Sequence, residues 1–537
     1  MFYTVIFFSA LIFLFLLWDV RKPSKFPPGP KWYPIVGCAL QISRLRMKCG
    51  MFCKVVDELT RHYINPYGLY GLKIGKDKLV IAYYNDTIQE MMTNEDLDGR
   101  PDGIFYRIRT FDSKKGILIT DEEPWVIHRR FILRHLKDFG FARSGMINGV
   151  QQEAAHLLED LKDIINEQGG KQAIVSMVNL FTVYVLNTLW SMMSGKRYDR
   201  KSEEINDLLK MFYELFQHID MVGAMFSHFP FMRFIAPNYS GYNAFVENHQ
   251  RIYKFLRKEV ENHRKTYQNY DAPRDLMDSY LRELEKSDHH ESFTEEQLLA
   301  VCLDMFLAGS ETTNKSLGFA LLHMVRNPEI QEKAYKEIKE VVGLERLPEW
   351  RDRSRLPYCE SIVLEAVRMF MGNTFGIPHR ALCDTRLSGY EIPKDTMVIA
   401  CFRGMLMNPV DFPNPNKFDP ERFLMDGVLK VPEAFNPFGF GRRRCMGDIL
   451  GRQNLFMFIT MVIQNFRFVA LPGELPDDEP LDGATASTPA KNTGLVNRVQ
   501  SNNFVTMQLS HFEFIIIFQL SQVHYLTQYH GIGRKSR

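Results

Sequence analysis

The chain has 537 residues, of which 45% are hydrophobic and 13% aromatic, the composition of a globular protein able to bury a large core. Its 66 basic and 64 acidic residues leave a formal net charge of +2, so charge points to no nucleic-acid partner. The eight cysteines include no Cys-x-x-Cys pair and no His pair of zinc-finger type, a usage that fits thiols kept reduced on the cytosolic side.

Phe2 to Trp18 contain no charged residue, and only Tyr3, Thr4 and Ser9 interrupt the apolar run. At the lower end of the roughly 17–25 residues that span a bilayer, the run predicts a transmembrane anchor over residues 1–18. A cleaved signal peptide is the competing reading, but there is no basic start and no Ala-x-Ala cleavage pattern. Arg21, Lys22 and Lys25 follow, which by the positive-inside bias leaves the rest of the chain in the cytosol, with Trp18 at the interface. Pro23, Pro27, Pro28, Pro30 and Pro34 make residues 19–34 an extended, stiff linker that sets the orientation of the body to the membrane.

From Tyr70 to Tyr84, two β-rich stretches flank Gly75-Lys76-Asp77-Lys78 and predict a strand pair with a tight turn. Apolar residues at three- and four-residue spacing predict helices over Gly149 to Glu167, Glu247 to Tyr267, Glu329 to Val342 and Ser361 to Phe370. The clearest helix start is Phe293-Thr294-Glu295-Glu296-Gln297-Leu298, where Thr294 and Gln297 form a capping box and Phe293 staples to Leu298. No proline stops that helix before Pro328, so it is long enough to be the spine of a large domain. From about Ala490 the composition changes; the apolar core Phe512 to Phe518 is too short for a second membrane span, and residues 490–537 read as an atypical tail.

The stretch Pro437-Phe438-Gly439-Phe440-Gly441-Arg442-Arg443-Arg444-Cys445-Met446-Gly447 leads into a helical segment, Asp448 to Val462. A cysteine at a helix N-terminus gains thiolate character, as an iron ligand requires. Gly439, Gly441 and Gly447 allow close backbone approach and N–H donation to sulfur, and Arg443 can pair with a buried propionate. A lone cysteine is usually a small buried hydrophobe, but three glycines and three arginines around it are not core packing.

Phe438-x-x-Gly441-x-Arg443-x-Cys445-x-Gly447 resembles the signature of the cytochrome P-450 family at every fixed position. Four more motifs resemble the family in its order: Trp125-x-x-x-Arg129, Ala308-Gly309-Ser310-Glu311-Thr312-Thr313, Glu365-x-x-Arg368 and Pro420-Glu421-Arg422-Phe423. The resemblance covers about Pro27 to Pro489 and implies a mostly helical domain with a small β region over residues 35–489. It implies haem b on Cys445, with Trp125, Arg129, Arg443, His379 and Arg100 around its propionates, Ala308 facing it, and Thr312 and Glu311 as catalytic residues for oxygen activation.

The residues also have readings of their own. Gly309 costs about 1 kcal/mol against Ala inside a helix, a loss that makes sense if backbone opens near a ligand. Thr312 can bond back to the Ala308 carbonyl, whereas Thr313 can merely pack. Glu365 and Arg368 pair on one helix face as structure. Asp304 has two readings, a substrate counter-charge or a tie to the loop after Arg100, and the second is preferred because an unpaired buried carboxylate is costly. Phe226, Phe229, Phe231 and Phe234 around Pro230 fall where the family dips a helix pair into the membrane.

The implied activity is insertion of one atom of dioxygen into an apolar steroid, sesquiterpenoid or fatty-acid-like substrate at the endoplasmic reticulum membrane. No Gly-x-Gly-x-x-Gly follows a predicted strand, so NADPH electrons come from a separate cytochrome P-450 reductase, with cytochrome b5 as a further partner. Arg129, Arg130, Arg134, His135, Lys137, Arg442 and Arg444 form the candidate docking face. A reductase-independent haem-thiolate isomerase or dehydratase is the second reading, against which Glu311 and Thr312 stand; a non-catalytic lipid-binding relative is the third, and haem content discriminates it. The general pattern, especially the Pro-rich start and the stretch Asn94 to Pro101, resembles arthropod members of the microsomal group. Met407 stands where the family often has His, and the ending beyond Pro489 departs from the family's short one, as a mistaken reading frame would.

Overall fold

The computed structural model describes residues 2–177, 180–218, 223–267 and 272–471, with the short pieces 481–482, 487–488 and 513–518. Helix α1 (Phe2–Asp19) has no buried residue and is long and apolar enough to cross a membrane. Its last residue is fastened to the body: the Lys73 ammonium donates to the Asp19 carbonyl at 2.8 Å and to its carboxylate, and Asp19 Oδ2 accepts from Ile35 N at 2.7 Å.

Strands β1 (Leu69–Ile74) and β2 (Asp77–Ala82) pair antiparallel through a turn of only Gly75 and Lys76, closed because Gly75 adopts φ 55°. Helices α2 (Glu122–Asp138) and α3 (Ser144–Glu167) follow, then β3 (Gln172–Ser176) and α4 (Thr182–Ser194), nearly all of which is buried. Next come α5 (Tyr242–Thr266), α6 (Leu276–Leu284), the 32-residue α7 (Glu295–Arg326), α8 (Pro328–Val341) and α9 (Pro357–Met371). Pro328 and Pro357 sit at helix starts, where a missing N–H costs nothing. The chain continues through β4 (His379–Arg380), β5 (Met397–Ala400), α10 (Asp448–Asn465), β6 (Phe466–Ala470) and β7 (Glu513–Phe518). The expected helices are all present; four begin one to five residues before their apolar spacing suggests, and α10 begins at Asp448 as expected.

One sheet has the order β1-β2-β5-β4, with β2 and β5 parallel. In a second sheet, β7 lies between β6 and β3, antiparallel to both. The apolar segment of the tail is therefore a central strand, with Ile516 fully buried. The unbroken apolar run Phe514-Ile515-Ile516-Ile517-Phe518 suits a central strand, a place that its distance in sequence from both partners concealed. The rest of the expected tail lies outside the described residues.

Helix α7 is the spine. Thr294 caps it by accepting from Gln297 N at 3.1 Å, but the capping box is half made. The Gln297 side chain instead spans the loop before α2, accepting from Gly116 N at 2.8 Å and donating to Gly116 O at 3.0 Å. Asp304 takes the same loop, accepting from Ile117 N at 2.6 Å and Leu118 N at 2.8 Å, and receives the Arg109 guanidinium as well. Glu365 and Arg368 of α9 are fully buried and joined at 2.7 and 2.8 Å, with Arg422 Nε on the same carboxylate at 3.1 Å. Met407, in place of the expected histidine, lends its sulfur to Arg368 at 3.2 Å.

The phenylalanine cluster around Pro230 divides. Phe226 is core, packed on Phe105, Tyr242 and Phe245, while Phe231 and Phe234 are exposed together with Ile235. A single outward cluster was expected; the helical turn Met225–His228 points Phe226 inward.

Candidate active site

Two accessible features stand out in an otherwise buried interior. In α7, residues 297–306 and 316–325 are buried, yet Ala308 and Thr312 between them are accessible, so the middle of the helix borders a cleft rather than core. The loop before α10 carries the second opening at Cys445. The two helices meet beside it: a Cβ on Gly451 would sit 3.9 Å from Thr313 Oγ1, which accounts for Thr313 as packing.

The Cys445 loop is shaped by its glycines. Gly441 has φ 65°, and a Cβ there would lie 2.2 Å from the Met92 carbonyl oxygen, so any side chain would displace the loop. The turn returns Cys445 N to donate to Phe438 O at 3.0 Å. The thiol, by contrast with the expectation of thiolate character, is pushed up. Although the residue opens on the cleft, the protein crowded around its sulfur is the largest influence, and the Gly447 N–H with Arg129 and Arg444 only partly offset it. A metal cation would reverse that balance, since a coordinating thiol is deprotonated outright.

Beside the loop lies a nest of cations. Arg443 stacks on Trp125, its Cζ 3.7 Å from the ring centre, and donates to Thr120 O and Asp98 O at 2.9 Å each. Arg129, one turn along α2 from Trp125, donates to Arg444 O at 2.8 Å and so latches α2 to the cysteine loop. Arg100 donates to Pro378 O at 3.0 Å, and His379 Nδ1 meets Leu97 O at 2.7 Å. Five of the expected site residues thus converge: Trp125, Arg129, Arg443, Arg100 and His379.

Positive charge exceeds negative charge in this nest. Burial, reinforced by repulsion from Arg443, holds Arg100 well below the usual arginine range, and burial lowers Arg443 to about 10 and Arg129 as well. His379 is likewise held well below the ordinary histidine range by burial, then by Arg100. A neutral His379 donating to Leu97 O has no second proton to give. Added carboxylates would supply the charge that lets it donate from both nitrogens. Arg100 Nε, Arg443 Nε and Thr120 Oγ1 are buried without a partner among the described residues. The nest therefore fits a group that brings carboxylates to Trp125 while presenting a metal to Cys445.

In the accessible stretch of α7, Thr312 Oγ1 donates to Ala308 O at 3.0 Å, and Glu311 lies one residue before it. Gly309 has a reason other than opening backbone to a ligand: a Cβ there would be 2.5 Å from Leu189 Cδ2, so α4 packs directly on it. Sequence reasoning missed Asp121, which accepts from Arg100 N at 2.9 Å, Lys114 at 2.5 Å and Arg380 at 3.0 Å and braces the nest. No spacing pointed to it, because its partners are distant in sequence. It also missed Lys315, which the i,i+4 rule applied to Glu311 would have found.

A family model described as Cytochrome P-450 matches residues 27–495. A probable cytochrome P-450 303a1 of Drosophila melanogaster is 68% identical over 93% of this chain and 100% of its own length. A farnesoate epoxidase of Bombyx mori is 33% identical over 89% of this chain and 95% of its own, and cytochrome P-450 2B2 of Rattus norvegicus is 34% identical over 86% and 92%. With its cysteine loop, cationic nest and open central helix, this chain belongs to the cytochrome P-450 family and is a haem b monooxygenase.

Proposed function

We propose that this monooxygenase hydroxylates or epoxidises a small apolar substrate of the sesquiterpenoid, steroid or fatty-acid kind, with NADPH electrons delivered by a separate reductase and cytochrome b5 as a further donor. For a hydroxylation, the substrate C–H bond, dioxygen, NADPH and one proton yield the alcohol, water and NADP+. The haem, when bound, supplies the iron at which dioxygen is activated. Cys445 would ligate that iron as thiolate; Trp125, Arg129, Arg443, Arg100 and His379 would hold the propionates, and Ala308 would face the group from α7.

The observation that carries this reading is the open stretch of α7, where the accessible Thr312 hydroxyl donates to Ala308 O. At rest that proton is parked on the helix; a turn about χ1 offers it to the cleft. Glu311, also on α7, passes protons from solvent to Thr312. The 33% identical farnesoate epoxidase favours a sesquiterpenoid among the substrate classes.

The apolar α1 anchors the chain in the endoplasmic reticulum membrane with the catalytic body in the cytosol, and the exposed Phe231, Phe234 and Ile235 make a second lipid contact. Arg130, Arg134 and Lys137 form an exposed stripe at i, i+4 and i+7 on α2, which suits an acidic reductase face. A spectral binding screen of sesquiterpenoids, steroids and fatty acids selects the substrate. Turnover of the best binder with reductase, NADPH and isotopically labelled dioxygen then places the label in the product. A product without label, or one formed without NADPH, overturns the reading.

A further inference from the structure

One turn beyond Glu311, α7 carries a second charge. Ala308, Glu311, Thr312 and Lys315 stand at i, i+3, i+4 and i+7 and so share one side of the helix, the side that the accessible Ala308 and Thr312 mark as bordering the cleft. Lys315 Nζ lies 3.5 Å from Glu311 Oε2, and the two side chains are only 10% and 18% exposed. A lysine ordinarily carries its ammonium out to water. Here the ammonium is enclosed, where a methionine of similar length would fill the space without loss of hydration. Such a charge needs compensation, and a carboxylate one turn toward the N-terminus is the arrangement the helix favours.

We propose that Lys315 is a positioning residue for Glu311, holding the carboxylate on the cleft side of α7 beside Thr312. The inference rests on the assignment of Glu311 and Thr312 to proton handling. Without the ammonium, Glu311 turns among several orientations, and fewer of them lead a proton to Thr312.

The test uses the full-length, haem-loaded protein and carbon monoxide bound to its reduced form, whose infrared C–O stretch responds to charge lining the cleft. Lys315→Met and Glu311→Gln each shift the band, and Lys315→Arg returns it toward wild type. In the Glu311→Gln background, Lys315→Met shifts it little, because two residues acting as one unit are not additive. With NADPH and reductase, Lys315→Met raises hydrogen peroxide released per NADPH severalfold, and Lys315→Arg restores the wild-type yield. A band unmoved by Lys315→Met, or moved equally in both backgrounds, overturns the proposal. A Glu311→Gln variant with wild-type peroxide yield overturns the proton-handling assignment instead, and the infrared cycle still decides the pairing.

Discussion

The Arg109 guanidinium donates to the Asp304 carboxylate inside the core, with the two side chains 9% and 1% exposed. Asp304 thereby gathers the loop before α2 onto α7: it holds Ile117 N and Leu118 N, and a Cβ on Gly116 would come within 2.2 Å of its Oδ2. Tyr253 of α5 closes the same junction by donating to Arg109 O at 2.8 Å. Asp304→Ala leaves a buried guanidinium and two buried N–H groups without their partner, a loss of about 3–5 kcal/mol. Thermal unfolding followed by haem absorbance should show a clearly lowered midpoint, with limited proteolysis cutting first between residues 109 and 118. An unchanged midpoint would show that the junction is dispensable.

Replacing Cys445 tests its proposed place at the iron. Cys445→His should bind haem through imidazole and lose the thiolate-type carbon monoxide spectrum of the reduced protein. The loop's other contacts, the return of residue 445 N to Phe438 O and the stacking of Arg443 on Trp125 among them, do not involve the Cys445 side chain and survive the change. A spectrum identical to wild type would remove Cys445 from the iron.

On the distal side, Thr312→Ala should retain substrate binding and NADPH consumption while diverting reducing equivalents into hydrogen peroxide. The variant loses a hydroxyl that now donates only to Ala308 O and leaves the cysteine loop and the cationic nest untouched. Positioned proton transfer contributes about 10²–10⁴-fold, of which a replacement water recovers part, so product per NADPH should fall severalfold. Equal coupling in variant and wild type would favour an isomerase that needs no reductase.

The membrane attachment can be dissected by two truncations. Removing residues 1–18 keeps Asp19, the partner of the buried Lys73, whereas removing residues 1–25 strands that ammonium. Both truncated proteins should still sediment partly with vesicles through Phe231, Phe234 and Ile235, and only the longer truncation should lose thermal stability. Full solubility of both at low salt would rule out the aromatic contact.

A pH dependence resides at the junction of α4, α5 and α6. His263 Nδ1 faces Glu259 O at 3.0 Å, while Nε2 faces Ser194 O at 3.0 Å and Asp275 Oδ2 at 3.1 Å, so only the imidazolium satisfies every acceptor. Burial opposes that charge, but the hydrogen bond and charge of Asp275 outweigh it and raise His263 above the ordinary histidine range. The stabilisation is therefore complete below the unfolded value of about 6.5 and is lost as pH rises through the raised folded value. The wild-type melting temperature should fall between roughly pH 6 and pH 9 by more than that of His263→Gln. Parallel pH profiles would show that His263 is neutral in the fold.

What the sequence by itself determined is whatever depends on neighbours along the chain. The apolar run of α1, the periodic helices, the Thr294 cap, the two-residue hairpin turn and the glycine-arginine-cysteine loop all depend on spacing within a few residues. Tertiary structure alone decided which charges from distant segments meet, whereas Glu365–Arg368 and Glu311–Lys315 are pairs within one helix. Arg100, His379 and Arg443 converge from three segments, and Asp121 braces them, because β4, α2 and the cysteine loop pack together. It decided that Gln297 serves Gly116 rather than its own helix end, since a buried loop N–H offers a better partner than a solvated one. It also turned Phe226 inward and Phe234 outward, and it gave the apolar segment near the C-terminus a place between β6 and β3. Strand pairing over such sequence distances depends on which edges the rest of the fold leaves open, and no local pattern of residues encodes that.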